Sequence, residues 1–519
     1  MNKLNLIIIL AALISACHNQ KENRKEQLPN IVFIMSDDHA YQAISAYGGD
    51  LAPLAPTPNI DKIAKEGMRF DQCVVTNSIC GPSRACILTG KYSHRNGFLS
   101  NEATPFDSSQ QTFPKLLQKA GYETAIIGKW HLDSQPAGFT YWEILPGQGN
   151  YYNPDFINKN GTHKETGYIT DLITQKSIEW LNSVKKSGKP FMLMVHHKAP
   201  HRNWQPGPNE LNLYENVTFP EPSTLFDDYS GRGRAEHEQD MTIEKTMTLE
   251  EDLKMYNDTT KLKNSALSRM NQEQKKAWDA VYNPVMDEFY QSDLKGKELV
   301  RWKYQRYLRD YLACIAAVDK SVGEIRKFLV ENGLDKNTLV VYTSDQGFYL
   351  GEHGWFDKRF MFEQSYRTPL LIEWPENIKP GTINKDIVSN IDFAETFLDM
   401  AGIKVPDDMQ GESLLPILKG KTPESWRKEH YYHYYEYPGW HSVKRHYGIY
   451  TGRYKLIHFY YDIDEWELFD LQNDPNEMRN VYNDPSYSKV KEELHVRLKE
   501  LMKKYGDSDE LAKSYLPKN

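Results

Sequence analysis

The run "NIVFIMSDD" (residues 30–38) is apolar almost to its end and stops in two aspartates, and the pattern recurs along the chain. "ETAIIGKWH" (123–131), "PFMLMVHHKAPH" (190–201) and "TLVVYTSDQG" (338–347) pass in the same way from apolar residues to a polar cluster, and "TPLLIEW" (368–374) is a fifth apolar run. Segments with helical spacing lie between several of them, including "FPKLLQKAGY" and "RYLRDYLACIAAVDKSVGEIRKFLVENG". A strand with no polar side needs cover on both faces. The sequence therefore predicts an α/β chain with a largely parallel sheet between helices. Ligands of open α/β sheets bind beyond the carboxyl ends of the strands, which is where these polar clusters fall.

At 519 residues the chain can bury a large core, and its length fits one large domain and a smaller one. From about residue 425, "HYYHYYEYPGWHSVKRHYGIYTGRYKLIHFYYDIDEWELFDLQNDP" alternates aromatic and polar residues between short turns. This predicts an antiparallel sheet, with "YSKVKEELHVRLKELMKKYG" as an amphipathic helix packed on it. The polar, Pro-rich stretch 203–295 reads as loops and surface helices with few apolar anchors, draped on the sheet and shaping a cleft. No chemistry is assigned to it. A formal charge of -8, with no block of Lys and Arg interleaved with aromatics, argues against a nucleic-acid partner.

The first residues, "MNKLNLIIILAALISACHNQ", carry a lysine, an apolar run too short to span a bilayer, and small residues before Cys17. They read as an export signal and resemble a bacterial lipoprotein processing box, which implies an acylated Cys17, a tether over 18–28 and a periplasmic, membrane-anchored protein rather than one at the cell surface. The expected organisation is signal 1–17, tether 18–28, a main domain over 29–424 and a subdomain over 425–519. The cysteines left, Cys73, Cys80, Cys86 and Cys314, are too few for a disulfide framework in a chain of this length.

Asp37 and Asp38 end one predicted strand, and Asp345 and Gln346 end another. Like-charged carboxylates in a crevice need a cation or protons, and an all-oxygen set suits a hard divalent ion such as calcium or magnesium. The bland alternative is a helix cap at "SDD" and a turn at "SDQG"; recurrence at equivalent strand ends argues against it. Lys129 and His131 are two apart and so would point the same way on an extended strand end. His196, His197 and His201 crowd into one run, where a hydrogen-bonded structural role is the ordinary fate of each. Lys358 and Arg359 follow the second acidic pair closely. A metal ringed by Lys, Arg and His suits transfer of a polyanionic group, phosphate or sulfate.

Cys80 opens "CGPSRACILTG". A thiol is a poor ligand for a hard metal, but this run matches the signature in which Cys is oxidised to formylglycine (3-oxoalanine), and the chain resembles the type I sulfatases over essentially its whole exported length, including the late "ELFDLQNDPNEMRNV". The resemblance implies an alkaline-phosphatase-like α/β fold with a smaller C-terminal antiparallel sheet. It implies calcium held by Asp37, Asp38, Asp345 and Gln346, the last replacing the Asn of many members. It further implies a maturating enzyme that converts Cys80, Arg84 and Lys129 holding the formylglycine, His131 as base, and His201 and Lys358 around the sulfate and its leaving oxygen. In that chemistry the hydrated aldehyde attacks sulfur, and loss of the second hydroxyl proton to His131 re-forms the carbonyl and expels sulfate.

The segment "DQGFYLGEHGWFDKRFMFEQSYRTPLL" most resembles N-acetylglucosamine-6-sulfatases. It implies that Asp357 and Arg359 bind the 3- and 4-hydroxyls of a non-reducing-end glucosamine in heparin or heparan sulfate, with Trp440 and His441 as a wall from the small domain. A salt bridge between Asp357 and Arg359 is the plain alternative. A phosphatase of the same superfamily would use an unmodified nucleophile and further histidine ligands, and an inactive glycan-binding lipoprotein would show an eroded charged pocket. Sulfatases for 2-O-uronate, 3-O-glucosamine or 6-O-galactose sulfates would need another arrangement around Asp357 and Arg359.

Overall fold

A computed structural model describes residues 28–102, 105–256 and 265–516. The export signal, Cys17 and the tether as far as residue 27 lie outside the described residues. Ten strands make the main sheet: β1 (Asn30–Ser36), β2 (Met68–Phe70), β3 (Glu123–Lys129), β4 (Tyr141–Leu145), β5 (Asp155–Asn158), β6 (Gly161–Lys164), β7 (Phe191–His196), β8 (Thr338–Ser344), β9 (Leu370–Glu373) and β10 (Thr382–Asn384). Their order is β10-β2-β9-β8-β1-β7-β3-β4-β5-β6. The central block β8-β1-β7-β3-β4 is parallel. β9 runs antiparallel to β8, and β5 and β6 are antiparallel beyond β4. The sheet is thus mixed and mostly parallel. The fifth apolar run, β9, ends on the opposite side from the other four.

Both faces of the central block are covered, which is why its strands read as near-continuous apolar runs, whereas the edge strands β5, β6 and β10 are polar and partly exposed. Val32 and Ile34 of β1 join a core with Ile169 and Ile173 of one helix (Ile169–Val184) and Leu308 and Val318 of a longer one (Gly296–Glu331). Ile31, Phe33 and Met35 face the other way, onto Ala85 and Leu88 of α1 (Cys80–Thr89), Phe113 and Leu117 of Phe113–Lys119, and Phe393 and Phe397 of Asp392–Met400. Successive residues of one strand therefore serve two cores.

Four antiparallel strands, β11 (His430–Tyr434), β12 (His446–Tyr450), β13 (Tyr454–Phe459) and β14 (Glu465–Asp470), form the smaller sheet. The helix Ser488–Tyr505 lays Leu494, Leu498, Leu501 and Tyr505 against Tyr431, Ile449 and Leu456 of that sheet. The small sheet also holds the segment after β8: Tyr432 Oη donates to the Arg359 carbonyl, and the Met361 N–H donates to His446 Nε2 at 3.2 Å.

The stretch 203–295 is better anchored than its composition predicts. Trp204, Ile243, Met247, Leu253, Trp278 and Tyr282 are all buried in the main core. They come singly from irregular segments or from one helix (Gln272–Ser292) with a mostly polar outer face, so no periodicity betrays them. Cys73, Cys80, Cys86 and Cys314 are all free and buried.

Candidate active site

β1 and β8 are in register, with Ser36 opposite Ser344, so Asp37 and Asp345 leave adjacent strands side by side. Asp37, Asp38 and Asp345 are all fully buried, and one oxygen of each lies within 4.8 Å of the others. The Asp38 N–H donates to Asp345 Oδ1 at 3.1 Å. Gln346, also fully buried, donates its amide to Asp38 Oδ1, while its own Oε1 accepts no hydrogen bond, and neither does Asp37 Oδ1, whose nearest cation is Arg84 Nη2 at 3.7 Å. Buried oxygens without donors beside three carboxylates are the donor set of a hard cation. Burial first, and then the neighbouring carboxylates, push Asp38 up to about 7 and Asp345 up to about 6. Burial also works against charge on Asp37, but Lys129, His201, Arg84 and Lys358 outweigh it and hold that carboxyl well below the usual range.

Cys80 is the first residue of α1, and its Sγ falls within 4.8 Å of an Asp37 oxygen and a His201 ring nitrogen. Burial and then Asp37 push the thiol well up, so it stays protonated at neutral pH and is no nucleophile as it stands. Gly81 is required by space: a Cβ there would meet Phe98 Cε1 at 2.6 Å and Asn101 Oδ1 at 2.8 Å. Arg84, one turn into the helix, reaches back to Asp345 Oδ2 from Nε at 3.0 Å and Nη2 at 2.9 Å, and to the Lys129 carbonyl at 2.9 Å. Ser83 Oγ donates to the Asp345 carbonyl. The signature thus ties its helix to the acidic strand end.

Lys129 is the last residue of β3, and its ammonium contacts Asp37 and Gln148 Oε1. His131 lies past the strand in left-handed backbone, φ 53°, so strand alternation does not bring it to Lys129 as the two-residue spacing predicts. Gln148 does, since its Nε2 is 3.3 Å from His131 Nε2. Burial and then Lys129 hold His131 well below its ordinary value, so it is a neutral imidazole.

The three crowded histidines separate. His196 is buried against the Lys129 carbonyl at 3.1 Å, and His197 contacts Ser321 Oγ at 3.1 Å, whereas His201 lines the pocket with Nε2 3.7 Å from Asp38 Oδ2. The His201 Nδ1–H donates to the Arg202 carbonyl at 2.6 Å, which leaves Nε2 toward the acidic cluster.

Lys358 donates to Asp38 Oδ2 at 2.8 Å. Arg359 pairs with Asp357, as the plain alternative supposes, but the pair is buried and lines the pocket rather than the surface. His441 Nε2 lies 3.2 Å from Asp357 Oδ2, and its Nδ1 faces the Asp240 carbonyl. Trp440 stands at the rim with 69% of its surface exposed. Asp38, His131, Asp357, Arg359 and His441 all have left-handed φ, from 53° to 99°. Such strain in non-glycine residues gathers where the surrounding structure fixes side-chain direction for function.

The pocket, about 720 Å³, is also lined by residues to which no role was assigned from the sequence: Gln148, Lys198, Arg202, Asn203, Thr248 and Glu251. Lys198 and Arg202 belong to or adjoin "HHKAPH", and basic residues in a run already tied to an anionic substrate were a usable signal. Gln148 and the residues beyond 202 carry none.

The sulfatase family model matches residues 29–403, and the model described as N-sulphoglucosamine sulphohydrolase, C-terminal, matches residues 351–504. The N-acetylglucosamine-6-O-sulfatase of Bacteroides thetaiotaomicron is 54% identical over 521 residues, 98% of this chain and 92% of that protein. The Homo sapiens N-acetylglucosamine-6-sulfatase is 29% identical over 427 residues, 77% of this chain and 66% of its own. A structure solved in complex with its substrate D-glucosamine-2-N,6-O-disulfate superposes with TM-score 0.90 at 54% identity, covering 93% of this chain and 99% of that one.

Proposed function

The chain belongs to the sulfatase family, and from that premise we propose that it hydrolyses the 6-O-sulfate ester of a non-reducing-end N-acetylglucosamine or N-sulfoglucosamine in heparin or heparan sulfate fragments. The observation that carries the proposal is the placement of Lys358 on Asp38 at 2.8 Å with Asp357 and Arg359 beside it in one pocket, in a chain so similar to an N-acetylglucosamine-6-O-sulfatase. One side of the pocket suits a sulfate, and its neighbour suits a pair of sugar hydroxyls.

Asp37, Asp38, Asp345 and the Gln346 carboxamide oxygen would hold calcium, and Cys80 would carry the formylglycine; together these supply a Lewis acid and an activated oxygen nucleophile. Lys358 and Arg84 balance charge on the sulfate oxygens. Arg84 also keeps α1 against the acidic strand end. His131, neutral and bridged to Lys129 through Gln148, is ready to accept a proton. His201 presents Nε2 toward the cluster and would pass a proton to the leaving sugar oxygen, the arriving sulfate countering the burial, and then the nearby lysines, that disfavour its charged form. Asp357, held ionised by Arg359, Lys358 and His441 against its burial, accepts from a ring hydroxyl, and Arg359 donates to one. A ligand with a hydroxyl missing or inverted would leave those buried groups unpaired.

The same reading includes conversion of Cys80 by a formylglycine-generating or anaerobic sulfatase-maturating enzyme, and an acylated Cys17 that anchors the protein facing the periplasm. The test is free sulfate released from N-acetylglucosamine-6-sulfate and N-acetylgalactosamine-6-sulfate by protein whose Cys80 conversion has been checked by peptide mass. Release from the gluco sugar alone is expected. Release from neither by fully converted protein removes this substrate assignment and moves the search to 2-O- or 3-O-sulfates.

A further inference from the structure

The lysines and arginines around the pocket and under the acidic cluster have carboxylates of their own, with one exception. Lys129 has Asp37, Lys358 has Asp38, Arg84 has Asp345, Arg359 has Asp357 and Arg202 has Asp252. Lys198 has none: among the described residues its ammonium meets only the Arg202 carbonyl, at 3.5 Å, and the face of the Tyr151 ring, 4.9 Å from the centroid. Lys198 is only 4% exposed, yet it lines the pocket. An ammonium with three donors, removed from water and given one long hydrogen bond, is under-satisfied where a ligand is expected.

Asp37 and Asp38 act on it only at a distance, and its direct contacts lie elsewhere. The Arg202 carbonyl that it approaches is the one that accepts from His201 Nδ1, and the opposite edge of that ring faces Asp38. Lys198 therefore shares an acceptor with the Nδ1 edge of His201, the edge away from Asp38, and lies next to Tyr151, whose hydroxyl donates to the His201 carbonyl at 2.6 Å. A group that meets Lys198 reaches the pocket by another arm of the substrate.

Building on the proposed function, we infer that Lys198 binds a second anionic group of the substrate, one that is not hydrolysed. Two sources share this chemistry, an N-sulfate on the same glucosamine and the carboxylate of an adjoining uronic acid. The N-sulfate has the shorter reach, and the similar protein solved with D-glucosamine-2-N,6-O-disulfate binds a sugar that carries such a pair of charges. Burial holds Lys198 down to about 8, which still leaves it charged at neutral pH.

The experiment uses Cys80→Ser protein, which cannot turn over, and the same protein with Lys198→Met or Lys198→Arg. Affinities are measured by calorimetry for N-acetylglucosamine-6-sulfate, for glucosamine-2-N,6-O-disulfate, and for a disaccharide of N-acetylglucosamine-6-sulfate linked to a uronic acid. Lys198→Met should weaken one of the two doubly charged ligands by roughly 10- to 100-fold, leave the N-acetyl monosaccharide within about threefold, and be rescued by Lys198→Arg. The disulfate losing affinity identifies the N-sulfate; the disaccharide losing it identifies the carboxylate. Equal losses for all three ligands, or for none, overturn the inference. If the Cys80→Ser parent binds none of them, the proposed function itself has failed. A melting temperature for Lys198→Met at or above that of the parent is expected, since an apolar chain of similar shape replaces an unpaired buried charge, and it separates lost contact from lost fold.

Discussion

Arg84 donates to a single oxygen of Asp345 from both Nε and Nη2, at 3.0 and 2.9 Å, and this fork joins the helix that begins at Cys80 to the strand end that carries half of the acidic cluster. Arg84→Ala would leave Asp345 buried beside Asp37 with its main counter-charge gone. Removing one partner of a buried pair costs about 3–5 kcal/mol. Arg84→Lys keeps the charge but cannot fork to Asp345 while also reaching the Lys129 carbonyl. The expected result is a lower melting temperature for Arg84→Ala, and for Arg84→Lys a near-normal one with sulfate release down roughly 10- to 100-fold. Equal melting temperatures for wild type and Arg84→Ala would show that the pair does not hold the helix.

Cys80→Ser removes the residue that conversion acts on while barely changing volume at a site 1% exposed. Sulfate release should fall below detection, with the unfolding free energy from urea titration within about 0.5 kcal/mol of wild type, the range of substitutions that open no cavity. Turnover by the purified variant would end the formylglycine assignment.

Chelation should act on fold and activity together. With Asp37, Asp38, Asp345 and Gln346 crowded and fully buried, a bound divalent ion relieves repulsion that protons must otherwise relieve. Exhaustive treatment with a calcium-selective chelator should abolish sulfate release and lower the melting temperature, and excess calcium should restore both. The stabilisation should follow the logarithm of free ion concentration. Activity and melting temperature both indifferent to chelation would dismiss the metal site.

The fold and the centre of the site were legible because both rest on contiguous signals. Apolar strands such as residues 30–36 read as covered on both faces, and the in-register ends of β1 and β8 turn two separate acidic pairs into one cluster. His131 was found for a reason that the structure replaces: its left-handed backbone and Gln148, not strand alternation, bring it to Lys129. The stretch 203–295 was read as shaping a cleft, and Asn203, Thr248 and Glu251 do line the pocket, but its anchoring was not legible, because single anchors such as Trp204 and Met247 sit in irregular chain and show no period. Lys198 was in plain view, but its lack of a carboxylate is a property of three-dimensional neighbours that no spacing encodes.

Acid stability should depend on His446, a residue remote from the chemistry. It is fully buried between the two parts of the chain, among the rings of Phe360, Tyr432 and Phe459. The Met361 N–H donates to its Nε2 at 3.2 Å and its own Nδ1–H donates to the Lys444 carbonyl at 2.8 Å, so both nitrogens are used by a neutral ring. A second ring proton would set donor against donor at Met361. Burial holds the ring down to about 3, against about 6.5 in the unfolded chain. Because the folded value is the lower one, the unfolded state binds the proton first. The stability due to the neutral ring is complete above about pH 6.5 and is lost as pH falls toward about 3, by up to about 1.4 kcal/mol per pH unit. His446→Gln, which keeps an acceptor and a donor without a titrating group, should flatten that slope by up to this amount in urea unfolding followed from pH 7.5 to 4. Parallel pH curves for wild type and His446→Gln would show that the ring is not held neutral by this contact.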